Sequence, residues 1–200
     1  MHKYTHLLLS AIFLIALMPS VAIGSLDSMT LISKGEARYM GFIKVYEAQL
    51  YTFEKEDQAR ILSPEVSKCL KLNYEVGLKP KDFIAGANTV LDRQHPPAYL
   101  DLIKPHVDRL HSAYRAVDKG DSYLLCYDAD SGLTTLSLNA EQLVSIDSGE
   151  FSTAYFGIWL SPDNPLSPAL QKQLAGPKDS GALKENLDER LSGCVSLTIE

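Results

Sequence analysis

The alternation of apolar and polar residues is clearest between positions 29 and 76, where it predicts β-strands. A first strand covers residues 29–33, and Lys34-Gly35 is expected to turn the chain. A longer run over residues 42–51 is rich in aromatic and β-branched side chains, which favour strands. Between Lys68 and Val76 the alternation predicts a half-buried strand of an antiparallel sheet. Its apolar face carries Leu70, Leu72, Tyr74 and Val76.

Helical spacing replaces this alternation in the next part of the chain. Pro80 is well placed at a helix start, and the dipeptide after His95 (Pro96-Pro97) ends the helix. The apolar stripe of this helix consists of Phe83, Ile84, Ala87, Val90 and Leu91. A second helix is predicted from Leu100 to Tyr114, with a bend at Pro105.

The segment from Gly120 to Pro162 returns to strands and then forms an aromatic-rich helix. Strands are predicted at Ser122–Tyr127, Leu133–Leu138 and Leu143–Ile146. The helix starts near Gly149 and contains Trp159, which we expect to be a core residue. A last short helix covers residues 168–174. Strands and helices grouped in this way predict an α+β fold with helices on one side of an antiparallel sheet.

Both ends of the chain are expected to lie outside this domain, which we place at residues 25–176. Residues 1–24 combine Lys3, an apolar run over residues 7–18 and small residues before Ser25, a pattern typical of a cleaved signal peptide. An uncleaved N-terminal anchor is the alternative. The tail, residues 177–200, is either a short helix with an edge strand or a frayed acidic segment.

Composition limits the cellular compartments and the classes of partner that we expect for this protein. The formal net charge is −6, and loss of Lys3 with the leader makes it −7. No cluster of Lys and Arg is present, so we expect neither nucleic acid nor an anionic membrane as main partner, and no stable membrane insertion after cleavage. The absence of glycosylation sequons favours the periplasm over an animal secretory pathway. The oligomeric state is not predicted.

Motifs that carry chemistry are nearly absent. The sequence has no nucleophile elbow, no Gly-rich phosphate loop and no zinc-protease motif, and we predict no cofactor. His106 and His111 are five residues apart, which does not place them on one helical face, so no metal site is predicted. Cys69, Cys126 and Cys194 allow either one disulfide and a free thiol or three free thiols.

Four segments resemble the bacterial chalcone isomerase-like domain: Phe42–Tyr51, Gly120–Tyr123, Gly132–Asn139 and Phe151–Pro162. The resemblance extends from about Leu31 to Gly176, in order and without large gaps. It implies an open-faced sandwich, in which a large curved antiparallel sheet carries a layer of helices on one face.

The same resemblance bears on catalysis. Chalcone isomerases use an Arg, a Thr, a Tyr and an Asn around a cleft to bind and orient the substrate. The resemblance places Met29 near the Arg position, Gly41 at the Thr position and Lys81 at the Tyr position, and only Asn88 keeps the family's residue. We therefore expect no true chalcone isomerase activity and assign no catalytic residue.

Relatives with this fold also bind fatty acids, which requires only an apolar slot and a few polar donors. Our leading hypothesis is an exported protein that binds a small hydrophobic molecule, fatty-acid-like or phenolic. The candidate ligand-binding residues are Arg38, Tyr46, Tyr74, Phe83, Asn88, Tyr155 and Ile158. The alternatives are an isomerase or intramolecular lyase acting on another substrate through Arg38, Lys81 or Asn88, and a partner-binding envelope protein whose pocket is only core.

Overall fold

The computed structural model describes residues 26–53 and 60–176. Six strands form one antiparallel sheet in which every strand pairs with its neighbour in the sequence. The strands are β1 (Thr30–Tyr39), β2 (Ile43–Thr52), β3 (Lys68–Tyr74), β4 (Ser122–Asp128), β5 (Leu133–Leu138) and β6 (Glu141–Asp147). The helices are α1 (Pro80–Gln94), α2 (Pro97–Ala113), α3 (Gly149–Leu160) and α4 (Pro168–Ala175). A short 3₁₀ turn, Leu26–Ser28, precedes β1.

This arrangement confirms the predicted α+β open-faced sandwich, with the helices packed on one face of the antiparallel sheet. Helix α3 is apolar on all sides, and nearly every residue from Phe151 to Leu160 is buried. A helix of this kind has to lie inside the core. The expectation that Trp159 belongs to the core is confirmed, since it is 9% exposed.

One predicted turn is wrong. Strand β1 passes straight through Lys34-Gly35, and the chain reverses instead at Met40 and Gly41, whose φ angles are +51° and +81°. A Cβ on Gly35 would lie 2.6 Å from the side-chain oxygen of Gln173 in α4. This glycine therefore permits a close approach of helix to strand, a use of Gly that the alternation pattern does not distinguish from a turn.

The helix predictions agree with the structure apart from their ends. Helix α1 begins at Pro80, as predicted, with the carboxylate of Asp82 accepting the backbone N–H of Lys79 at 2.8 Å. Helix α2 begins at Pro97, before the predicted start, because proline fits the first turn of a helix. The same helix continues through Pro105.

A disulfide joins the middle of the sheet. Cys69 of β3 and Cys126 of β4 are directly paired across the two strands, and their sulfur atoms are bonded. Of the two arrangements left open by the sequence, the structure has one disulfide. The bond spans the longest connection between neighbouring strands, the one that contains α1 and α2.

Three expectations fall outside the described residues: the signal peptide at residues 1–24, the tail at residues 177–200, and the state of Cys194. Among the residues that the structure does describe, no helix has the length and apolar character needed to cross a bilayer.

Candidate functional site

A cavity of about 720 Å³ lies between the sheet and the helices α1 and α3. Strands β2, β3 and β4 supply one wall because their inward-facing residues alternate with outward-facing ones. The wall residues from the sheet include Tyr46, Leu70, Leu72, Tyr74, Tyr123 and Leu125. The helices and the segment after α2 add Phe83, Ala87, Tyr114, Tyr155, Ile158 and Trp159.

Aromatic rings make up much of this wall, and they support one another. The ring of Tyr74 meets the edges or faces of Tyr46, Phe83 and Tyr123 at centroid distances of 5.6, 5.7 and 6.1 Å. Phe83 in turn stacks on Tyr114 at 5.1 Å. Such contacts fix ring positions beyond what area burial alone achieves. The cavity therefore has an aromatic wall built from β2, β3, β4, α1 and the segment after α2.

The phenol hydroxyl groups on this wall differ in their partners. The indole N–H of Trp159 donates to the Tyr46 oxygen at 2.9 Å, and the oxygens of Tyr114 and Tyr155 are 2.7 Å apart. The Tyr123 hydroxyl is fully used, because it donates to the carbonyl and accepts the N–H of Arg115. No hydrogen bond joins the Tyr74 hydroxyl to any residue that the structure describes.

Burial raises the pKa of these phenols further above physiological pH. Loss of solvation raises the pKa of Tyr46 to about 12, although the hydrogen bond from Trp159 opposes this shift. Desolvation also raises the pKa of Tyr74 and Tyr155 well above the ordinary value, and it raises that of Tyr114. Each phenol is thus a neutral O–H donor at physiological pH.

The cavity wall therefore offers phenol O–H groups to a ligand. Tyr46, Tyr74, Tyr114 and Tyr155 carry one O–H hydrogen each, and the structure uses one of these within the Tyr114–Tyr155 pair. The other O–H groups have no acceptor among the described residues. Because these O–H groups face an open cavity, a bound group with acceptor oxygens would take their hydrogen bonds.

Charged side chains on the wall are confined to exposed residues, Arg38 and Asp82. Arg38 is engaged by Glu36 through its Nε at 3.1 Å, and the Asp82 carboxylate caps α1. We call this exposed side, next to Tyr39, Ile43 and Leu166, the mouth of the cavity. The interior wall within the described residues carries no ionised group.

The structure brings six of the seven candidate ligand-binding residues to this one cavity. Those on the wall are Arg38, Tyr46, Tyr74, Phe83, Tyr155 and Ile158. Asn88 is not among them, because it is five residues after Phe83 and so projects from another side of α1. It lies instead in a groove of about 500 Å³ between α1 and α2, together with Asp92, Lys104 and His111.

The positions that the resemblance assigned to catalysis do not converge. Gly41 is at the tip of the β1–β2 hairpin, where a Cβ would meet nothing within 4 Å. Lys81 is exposed on α1, and Met29 precedes β1. None of them, nor Asn88, is on the cavity wall. The described residues also contain no group of three or more metal-ligating side chains.

The wall residues with polar atoms that were not predicted from the sequence include Tyr114, Tyr123 and Trp159. Tyr123 occupies an inward position of β4, and its alternation with Leu125 was a usable signal. Tyr114 follows the end of α2, where the helical pattern no longer predicts the side-chain direction. Trp159 was assigned to the core, and it serves as core and cavity wall together.

Comparisons with known proteins agree with this architecture. A family model described as chalcone isomerase-like matches residues 16–176. A search of curated proteins found no significant match. Among solved structures, the Arabidopsis thaliana fatty-acid binding protein is similar, with a TM-score of 0.56 and 12% sequence identity. That likeness covers 75% of this chain and 88% of the plant chain, and at this identity it shows a shared fold.

Proposed function

Because the chain belongs to the chalcone isomerase-like family, we propose that it binds a small hydrophobic molecule, fatty-acid-like or phenolic, in the central cavity. The observation that carries this proposal is the cavity itself, about 720 Å³ in volume and walled by apolar and aromatic side chains. Cavities of roughly 300 to 1,000 Å³ with few polar groups are typical of small-molecule sites. The name of the Arabidopsis protein, which has the same fold, adds support for a fatty-acid-like ligand.

The phenol O–H groups that have no acceptor within the described residues indicate how the ligand is oriented. An acceptor group, such as a carbonyl or carboxyl oxygen, would lie near the O–H groups of Tyr46 and Tyr74. The apolar remainder would lie along Leu72, Leu125 and Ile158. A ligand without any acceptor would leave the donors unsatisfied, and its affinity would be lower for that reason.

The isomerase alternative loses its geometric support. It requires Arg38, Lys81 or Asn88 to meet at one point of the cleft, as electrophilic groups must. Of these residues only Arg38 is on the cavity wall, and it is held at the mouth by Glu36. Binding without the chalcone isomerase reaction is therefore the function that the site supports best.

We also propose that the protein acts after export, in the periplasm. The leader pattern of residues 1–24 motivates this, and the Cys69–Cys126 disulfide supports it, because disulfides form and persist mainly in oxidising compartments. Mass spectrometry of the protein from fractionated cells would test the location and the cleavage before Ser25 together. An intact N-terminus on protein recovered from the cytosol would contradict this part of the proposal.

Native mass spectrometry of protein purified from its own cell envelope tests the binding directly. We expect a bound species that organic solvent releases and that contains an acyl chain or aromatic ring. Stripped protein should then bind a fatty acid or methyl ketone more tightly than the alkane of equal length. An empty cavity in every preparation, with no binding of any of the three probes, would contradict the proposal.

A variant that fills the cavity provides the structural control. Gly86 is on the cavity wall, and a Cβ there would meet nothing within 4 Å. Gly86→Phe should therefore fold normally and lose ligand affinity, because the ring occupies the space of the ligand. The matched variant Gly86→Ala adds only one methyl group and should bind almost as the wild type does. Equal affinity in both variants would place the ligand elsewhere.

A further inference from the structure

The tip of the β1–β2 hairpin exposes four large apolar side chains in five consecutive residues. Tyr39 is 62% exposed, Met40 71%, Phe42 69% and Ile43 40%. We call these four residues the apolar tip. Isolated exposed apolar residues are ordinary, whereas a contiguous group on one protruding turn marks an interaction site.

Local backbone geometry does not explain the composition of the tip. Met40 adopts a φ of +51°, a left-handed conformation in which Asn or Gly is favoured over long side chains. Replacement of Met40 by a polar turn residue would relieve this strain and would also protect the edge of the hairpin from aggregation. A side chain that violates the local preference while fully exposed is expected at a functional position.

The tip is continuous with the mouth of the cavity. Tyr39 and Ile43 contribute to the cavity wall and are exposed on the outside as well. Leu166, 39% exposed, is on the cavity wall next to them and adds apolar surface to the mouth. An apolar molecule could thus pass between the surroundings of the tip and the cavity without leaving apolar contact.

Charged residues are ordered along the hairpin in layers. The residues of the tip carry no charge, and directly behind them Arg38 and Lys44 are partners across the two strands. Glu36 and Glu47 form the next charged cross-strand pair, farther from the tip. Glu36 forms ion pairs with both Arg38 and Lys44, so the charged groups form a mutually neutralised band behind an uncharged tip. Such a band fits among zwitterionic headgroups when the tip reaches the acyl chains.

We propose that the apolar tip inserts reversibly into the surface of a lipid bilayer and places the mouth of the cavity at the acyl-chain region. Attraction rests on apolar burial, since the neighbouring acidic residues offset Arg38 and Lys44 and the whole chain is acidic. Zwitterionic membranes are therefore sufficient. Docking does not depend on the proposed ligand, whereas its use in ligand uptake rests on the proposed function.

A tryptophan placed at the tip reports insertion. The full chain has one tryptophan, Trp159, on the cavity wall, and its signal is measured in the wild type and subtracted from that of both variants. Phe42→Trp should show a blue-shifted emission with phosphatidylcholine vesicles and should be quenched by brominated acyl chains. The matched variant Phe53→Trp, at the opposite end of β2 and 51% exposed, should show neither change. An equal response of both variants, or none from Phe42→Trp, would overturn the proposal.

A second pair of variants tests the apolar contribution. Met40→Asn with Phe42→Ser should weaken vesicle binding at least about tenfold, because two buried apolar side chains are lost from the interface. The control Phe53→Ser should bind vesicles as the wild type does. Uptake of a fluorescent fatty acid from vesicles should slow in the tip variant, with unchanged affinity for the same probe in buffer. If the probe is not bound at all, the proposed function fails while vesicle docking stands.

Sedimentation equilibrium distinguishes the competing occupant, a second copy of this chain. The bilayer proposal expects the same mass for the wild type and for the tip variant in buffer. A dimer that dissociates in the tip variant, together with vesicle binding that the tip substitutions leave unchanged, would assign the tip to self-association instead.

Discussion

Each end of strand β3 carries a buried side chain with a polar group, and the two groups differ in whether they have a hydrogen-bond partner. At the start of the strand, Lys68 is fully buried, and its ammonium group donates to the carbonyls of Ser63 and Val66, both at 2.9 Å. At the other end, Tyr74 is on the cavity wall and its hydroxyl has no partner among the described residues. Both side chains are on the inner face of the sheet.

The difference distinguishes a polar side chain that maintains the fold, Lys68, from one that is available to a ligand, Tyr74. Lys68 is enclosed by aromatic rings as well as carbonyls, with Tyr127 at 4.8 Å and Phe156 at 5.5 Å from its nitrogen. These hydrogen bonds and ring contacts of the ammonium are all made within the protein, so Lys68 belongs to a closed part of the core. An unpaired phenol in an open cavity is a group whose partner arrives from outside.

Removal of the enclosed Lys68 side chain should have the largest effect on stability. Lys68→Ala removes the ammonium donor from two carbonyls, of which that of Ser63 keeps the N–H of Val66, and it leaves a void between two rings. We therefore expect a loss of about 3 to 5 kcal/mol in the free energy of unfolding. Urea denaturation followed by the fluorescence of Trp159 measures it. Lys71→Ala, on the other face of the same strand, is the control and should change little. A loss below that of the control would show that Lys68 is not structurally required.

The pH dependence of stability tests the same contrast through ionisation. Burial lowers the pKa of Lys68 to about 8 from 10.5, so the unfolded chain binds more protons between these values and stability rises with pH, by up to about 3 kcal/mol. Above about pH 10 the trend should reverse, because the pKa of each buried phenol is raised and only the unfolded tyrosines ionise.

Urea midpoints between pH 7 and 11.5 measure this profile. Lys68→Met keeps the volume of the side chain and removes its charge, so the rise from pH 8 should disappear while the fall above pH 10 remains. A wild-type profile that is flat between pH 8 and 10 would show that the ammonium group is solvated.

Two phenols on the same wall should respond in opposite ways when the hydroxyl is removed. Tyr123→Phe loses both hydrogen bonds to the Arg115 backbone and should cost about 1 to 2 kcal/mol of stability. Tyr74→Phe should change stability by no more than about 0.5 kcal/mol and weaken a ligand with a carbonyl about five- to tenfold. Thermal unfolding and ligand titration of both variants decide it. Reversed effects would exchange their assigned roles.

The smallest effect is expected from a substitution in helix α1, which lines the cavity. Gly86→Ala should raise the free energy of unfolding by about 0.5 to 1 kcal/mol, since alanine favours the helix and a Cβ there meets nothing within 4 Å. Thermal unfolding without ligand checks this. A decrease in the free energy of unfolding would mean that the added methyl group clashes, because the cavity is closed in solution. The core would then be closely packed around Tyr74 as it is around Lys68.

Most of the fold could be predicted from the sequence because its elements are nearly all local. Each strand pairs with its sequence neighbour, so alternation and turn residues were enough to place them. The exception, Gly35, depends on the approach of Gln173 from a helix far away in the chain. No local pattern contains that contact, and a glycine for a turn looks the same as a glycine for close packing.

The site could be predicted less completely, for a related reason. Phe83, Tyr155 and Ile158 followed from helical stripes, and Tyr74 followed from strand alternation. Asn88 was chosen by its residue type and by alignment, and the helix rotates it away from the cavity. Which hydroxyls are free depends on partners such as Trp159 for Tyr46, and these pairs form only when distant elements pack.

The Cys69–Cys126 bond also has a mechanical consequence. It crosses the seam between β3 and β4, which joins the first three strands of the sheet to the last three and has the longest connection of any neighbouring pair. The cavity straddles that seam, with Leu72 and Tyr74 on one side and Tyr123 and Leu125 on the other. The disulfide therefore holds β3 and β4 together beneath a bound ligand, even where the helices move to accommodate a large one.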